Sequence, residues 1–222
     1  MLEEKLISLK KELVEYATIV ESMVQKSVKG LLSKEKNILN EVIMIDEPKV
    51  NNYEIEMDEL CTNLIAQYQP KAKNLRTILM ILKMSNDLER MGDHAVNIVE
   101  SAQFLIERPN VKPMLDIPKM GEATIKMLRD SINSFVNEDA FLARSVCQMD
   151  NTVDDLKDNI VVELSAIMSS DSSAIERSLH LLRITGNLER IADLSTNICE
   201  EVMFMVEGRV IKHHKDEEKQ NG

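Results

Sequence analysis

Leu2, Leu6, Leu9, Leu13, Tyr16, Val20 and Met23 step along the chain by alternating fours and threes. That unbroken heptad stripe predicts a long first helix with one apolar side. A second helix is predicted over residues 34–68. Pro48 falls inside it, so a kink or short break is expected there, with Asp46 as the cap of the restarted segment. Pro70 marks the following turn, and a third helix is predicted over residues 71–107. Residues 107–118 gather Pro109, Pro113 and Pro118, which reads as the joint between two halves. The pattern then starts again, with helices predicted over 119–136, 138–169 and 172–207. The DSS at 171–173 supplies an N-cap for the last of these, with Glu176 following Ser173 in capping-box spacing, and Gly208 is placed to end it. The polar residues 209–222 form a tail.

The halves share more than a layout. Residues 86–100 read NDLERMGDHAVNIVE and residues 186–200 read GNLERIADLSTNICE. At a constant offset of one hundred, Leu88, Glu89, Arg90, Asp93, Asn97, Ile98 and Glu100 match Leu188, Glu189, Arg190, Asp193, Asn197, Ile198 and Glu200. Repetition on this scale is an internal duplication. A packing constraint alone would preserve the apolar residues but not Glu-Arg-x-x-Asp-x-x-x-Asn. The expected fold is therefore all-α: two tandem three-helix bundles, six long helices in all, related by an internal pseudo-twofold axis. The first bundle is expected over residues 1–108 and the second over 116–208.

Composition agrees with this and removes several function classes. Aromatic residues are only 3% of the chain, Trp is absent, and Gly and Pro number 6 and 5, which favours helix throughout. The net charge of −11, with no basic stripe to interrupt it, argues against a nucleic-acid partner. No run approaches the ~18–20 apolar residues of a membrane span, and no signal peptide precedes the first helix. Cys61, Cys147 and Cys199 are isolated and lack CxxC spacing, so buried thiols in a reducing, cytoplasmic compartment are expected. There is no GxxxxGK[ST] or GxGxxG segment, so no nucleotide cofactor is expected.

The repeated phrase carries the chemistry. Residues four apart on a helix lie about 40° apart around its axis. Glu89, Asp93 and Asn97 therefore form a polar ridge, and Glu189, Asp193 and Asn197 form its twin. Each runs beside an apolar stripe, Leu88, Met91, Ala95, Ile98 in one copy and Leu188, Ile191, Leu194, Ile198 in the other. Acids at i and i+4 repel by roughly 0.2–0.5 kcal/mol. Arg90 and Arg190 relieve this only in part, since adjacent residues point about 100° apart. A bound cation is one physical reason to keep such a ridge, and carboxylates with an amide oxygen a turn away suit hard divalent or iron ions. The bland alternative is a pair of solvated faces bridged to neighbouring helices by Glu–Arg pairs. His94 has Leu194 as its match, which excludes a symmetric histidine-assisted site, and no Glu-x-x-His spacing of the di-iron type occurs.

Other features are weaker. Asp150, Asp154 and Asp158 also step by four, but their first-half echo, Asp46 and then Asn51, is loose, and a solvated face is the simpler reading. His180 lies on an apolar run and reads as structural, His213 and His214 lie in the tail, and the fourteen methionines read as core filler.

With these segments in view, the chain resembles the PhoU family, accessory regulators of bacterial phosphate-specific transport. The resemblance covers nearly the whole length. It rests on Leu88–Asp93 and Leu188–Asp193, on Gln69-Pro70 with Leu75-Arg76 downstream, and on EDAFLARSVCQMDNTVDDL at 138–156. The chain departs from the family pattern at Asn74, before Leu-Arg, and at Asn37, opposite Asp139. The resemblance implies a cytoplasmic homodimer that represses phosphate uptake through contacts with a phosphate ABC transporter and a membrane sensor histidine kinase. It also implies metal ions, iron among them, on the acidic motifs. Glu89, Asp93, Glu189 and Asp193 are the ligands so implied, with Asn97 and Asn197 flanking, and Arg90, Arg190, Glu100 and Glu200 are candidates for partner contact. A non-enzymatic regulator is therefore the leading expectation. A metal-dependent carboxylate-site enzyme and a purely structural helical scaffold are the alternatives.

Overall fold

A computed structural model describes residues 1–111 and 116–207. Pro113, Gly208, His213, His214 and the tail 209–222 lie outside the described residues. The helices are α1 (Leu2–Ser33), α2 (Lys36–Glu41), α3 (Glu47–Tyr68), α4 (Lys73–Ile106), α5 (Asp116–Asn137), α6 (Ala140–Ser170) and α7 (Ile175–Glu207). A π-helical turn, Val42–Asp46, fuses α2 to α3, so the described residues form six rods as expected. Among the described residues there is no strand.

The heptad stripe of α1 is buried as read, from Leu6 through Met23, with Leu2 partly covered at its start. The turns between rods are short. Lys34 and Gln69 leave α1 and α3 in the left-handed conformation, and the Asp139 carboxylate caps α6 by accepting from the amides of Phe141 and Leu142.

Three local expectations are corrected. Pro48 does not break its helix. It sits in the first turn of α3 directly after the π turn, whose wider loop accommodates the missing amide without a stop. Asp46 makes no cap; its buried carboxylate instead accepts from Lys26 Nζ at 2.7 Å. Pro118 belongs to α5 rather than to the joint, because a helix's first turn does not need its amides. The DSS at 171–173 does supply the N-cap as expected, the Asp171 carboxylate accepting from the Ser173 amide at the head of a 3-10 turn.

α1, α3 and α4 pack on one another, as do α5, α6 and α7. The two sets are joined by α4 on α7 and α1 on α5, and one continuous apolar core runs through both. Cys61, Cys147 and Cys199 are buried free thiols within it. The central pair is antiparallel: Lys83 meets Glu201 at 2.8 Å, His94 meets Asn187 at 2.8 Å, and Glu100 meets Arg183 at 3.6 Å. Lys83–Glu201 and Glu100–Arg183 are near-mates under the offset of one hundred, which is the signature of a pseudo-twofold axis between α4 and α7. Among the described residues α3 and α6 do not pack on each other, so each flanks the central pair from its own side. His180 is structural: its ring stacks on Phe104 at 4.0 Å, and the Arg108 guanidinium sits 3.5 Å from the same Phe104 ring.

Candidate functional site

The two ridges lie at equivalent positions on α4 and α7. All eight stripe residues beside them are buried, so the register of both helices is fixed by the core. Glu89 and Glu189 are half-buried against the flanking helix of their own half. Asn97 and Asn197 continue the ridges one turn on, with Asn197 reaching the seam between α4 and α7.

The first ridge is crowded with like charge. Burial, together with the charges of Asp93 and of Glu54 on α3, pushes the Glu89 carboxyl above the usual range. Among the described residues no ion pair reaches Glu89, Asp93, Glu54 or Asp58. Arg90 turns away, to Asp87 at 3.4 Å. Beneath these acids lies Tyr16 of α1, fully buried and stacked on Tyr53 at 5.5 Å. Its hydroxyl has no hydrogen-bond partner among the described residues. Burial, aided by the charges of Glu54, Glu89, Asp93 and Asp58, holds that hydroxyl firmly protonated. Gly92, between the two ridge acids, lets α3 close in, since a Cβ there would meet Val50 Cγ1 at 2.9 Å.

The second ridge is neutralised by the chain itself. Lys157 Nζ of α6 donates to Glu189 Oε1 at 2.9 Å, with the glutamate side chain 14% exposed. That bond raises the Lys157 ammonium above its ordinary value. Arg190 bends onto Asp193 at 3.1 Å and approaches Glu189 at 3.8 Å, so this arginine relieves its ridge more fully than adjacent helix positions suggest. Burial and the Glu189 charge raise the Asp193 carboxyl, the Arg190 guanidinium opposes this, and Asp154 adds a smaller upward push. Asp154 itself is exposed, as the solvated-face reading has it, and lies near enough to the ridge to add to its charge.

The remaining candidates gather at the central seam. Arg90, Asn197 and Glu200 line an open groove of about 550 Å³ with Lys83 and Asp87. Arg90 and Arg190 share a second groove, of about 310 Å³, with His94, Asp193 and Glu200. Glu100 instead pairs with Arg183. Burial pushes the Asp87 carboxyl up to about 6.

Five residues at the ridges escaped the sequence reading or were set aside by it: Tyr16, Glu54, Asp58, Asp154 and Lys157. The signal for them lies in the core pattern. Val50, Met57 and Cys61 of α3 are buried as Val153, Ile160 and Leu164 of α6 are, each 103 residues later. An offset of one hundred, right for α4 and α7, is wrong for this pair. At the correct register Glu54 corresponds to Lys157.

The donor chemistry of the first ridge, carboxylates around an orphan phenol oxygen, fits a hard cation. As placed, no three His, Cys, Asp or Glu side chains among the described residues converge on a point where a metal ion could be held. Binding at the first ridge would therefore draw its flexible carboxylates inward. The second ridge does not fit, because an ammonium already lies against its glutamate.

Among known proteins, the PhoU domain family model matches twice, at residues 13–102 and 117–202. A relative from Aquifex aeolicus, a phosphate-specific transport system accessory protein PhoU homolog, is 36% identical over 210 residues, covering 95% of each chain. A relative of the same description from Pseudomonas aeruginosa is 34% identical over 196 residues, covering 88% of this chain and 81% of its own. The crystal structure of PhoU from Pseudomonas aeruginosa superposes with a TM-score of 0.91 at 32% identity, covering 94% of this chain and 100% of that one. A Streptococcus pneumoniae phosphate transport system regulatory protein PhoU superposes with a TM-score of 0.89 at 26% identity, covering 96% and 100%. Likeness over both repeats, in sequence and in the arrangement of six helical rods, establishes that this chain belongs to the PhoU family.

Proposed function

We propose that the protein is a non-enzymatic negative regulator of phosphate uptake and of phosphate-starvation signalling. It works in the cytoplasm, as a homodimer, between a phosphate ABC transporter and a membrane sensor histidine kinase. The observation that carries this reading is the full-length likeness to proteins named for accessory and regulatory roles in phosphate-specific transport. Two physical features support it. Among the described residues no helix is long and apolar enough to cross a membrane, so contact with membrane partners would be made by the helix faces. Those faces carry a repeated set of charged groups, Arg90, Arg190 and Glu200 at the open central grooves and Glu100 close by, suited to polar docking.

Metal is part of the same reading. A divalent or iron ion would be held by ridge carboxylates, Glu89 and Asp93 foremost, with Asn97 flanking. It would supply positive charge to an otherwise repelling surface. Glu189, Asp193 and Asn197 are the corresponding residues in the second half, where the Lys157 ammonium already lies against the glutamate.

Deleting the gene is expected to switch on the phosphate-starvation response in phosphate-rich medium, read by a starvation-promoter reporter and by phosphate uptake. An unchanged response overturns the proposal.

A further inference from the structure

The internal duplication invites the assumption that both ridges bind alike. The groups facing them say otherwise. Register along α3 and α6 is set by the buried positions Val50, Met57 and Cys61 against Val153, Ile160 and Leu164. On that register the residue that faces the ridge glutamate is Glu54 in the first half and Lys157 in the second. The consequences are direct. Glu54 adds its charge to the repulsion on Glu89, whereas Lys157 donates to Glu189 at 2.9 Å.

The helix behind the ridge changes in the same sense. Buried positions Met23, Val24, Ser27 and Leu31 of α1 recur as Met127, Leu128, Ser131 and Phe135 of α5, each 104 residues later. Ser27 and Ser131 even make the same bond, to the carbonyl three residues back. On this register Tyr16 corresponds to Met120. The first half thus sets a buried, unpartnered hydroxyl under its acids, and the second half sets a fully buried thioether side chain there.

We propose that this chain holds metal on one side only: the Glu89–Asp93 ridge binds a hard cation with the Tyr16 oxygen beneath it, while at the Glu189–Asp193 ridge the Lys157 ammonium is a tethered counter-ion in the metal's place. This rests on the reading of the ridges as metal-binding surfaces. Three differences support it and all point the same way. Among the described residues, the first ridge gathers Glu54 and Asp58 without an ion pair, has an oxygen donor with nothing to bond, and sends its arginine elsewhere. The second has an ammonium, a guanidinium folded back on its aspartate, and Met120 in place of the tyrosine. A lone buried hydroxyl carries a desolvation cost. That cost is relieved if a cation arrives on that side. Placing a dication beside Lys157 would add repulsion between like charges.

The test is Mn²⁺ binding to the full chain after chelator treatment, by equilibrium dialysis with metal analysis, alongside circular dichroism to verify helix content. Wild type is expected to bind. Glu89→Gln is expected to lose affinity at least tenfold, Tyr16→Phe several-fold, and Glu189→Gln not at all. Lys157→Glu, which copies Glu54, is expected to add binding that depends on Glu189; Lys157→Met does so more weakly and serves if the first variant is misfolded. Equal losses from Glu89→Gln and Glu189→Gln would overturn one-sidedness while leaving the ridges as metal sites. No Mn²⁺ bound by wild type or by either Lys157 variant would overturn the metal reading itself, and the inference with it.

Discussion

Glu89 and Glu189 occupy the same position in two copies of one helix, and they face opposite charges. Glu54 crowds the first, and Lys157 bonds to the second at 2.9 Å. The apolar seam beside each is buried in both copies. The contrast shows what duplication preserves and what it releases. A core position is constrained by every neighbour it packs against, so α4 and α7 keep one register and one pattern of burial. A half-buried charge is constrained only by its electrostatic partner, and that partner changed sign on one side alone.

Substitutions in the two halves break or sharpen the contrast. Lys157→Met is expected to have the largest effect, a loss of about 2 kcal/mol in urea unfolding, because Glu189 is left beside Asp193 and Asp154 with no lysine. A change of a few tenths would mean that the pair is only a surface contact. Asp87→Asn comes next and copies Asn187. Burial raises the Asp87 carboxyl from 3.8 to about 6, so the fold favours its protonated form. Its stabilising contribution is complete below about pH 4 and is lost as pH rises through about 6. The variant is expected to match wild type at pH 4 and to exceed it by on the order of 1–2 kcal/mol at pH 8, after allowing for the lost contact with Arg90. A constant difference between those pH values would refute the shift. Tyr16→Phe is the smallest: without metal it is expected to stabilise by about 1 kcal/mol, since it removes a buried polar atom with no partner. Destabilisation instead would show that the hydroxyl has a bond in the folded protein.

Much of this was legible in the chain. The α1 heptads, the match between α4 and α7 and the six-rod layout follow from apolar spacing and from breaker positions, because those signals are local. The ridge acids were found for the same reason. Their surroundings were not. Glu54, Asp58, Asp154 and Lys157 sit on rods whose register is shifted by three residues from that of the central pair, and only packing reveals the shift. Tyr16 read as one more apolar residue in the stripe, which it is, apart from one oxygen. Pro48 and Asp46 were misjudged because a proline can be absorbed by a π turn as well as by a break, and sequence spacing does not distinguish the two.

The antiparallel packing of α4 on α7 has a consequence for how such a chain could arise. A single repeat would present the greasy flank of its longest rod to water. The cheapest cover for that flank is a second copy, turned end for end, which is the geometry of a twofold dimer. Joining the copies makes that encounter intramolecular, independent of concentration, and frees each flank to evolve charges the other does not share.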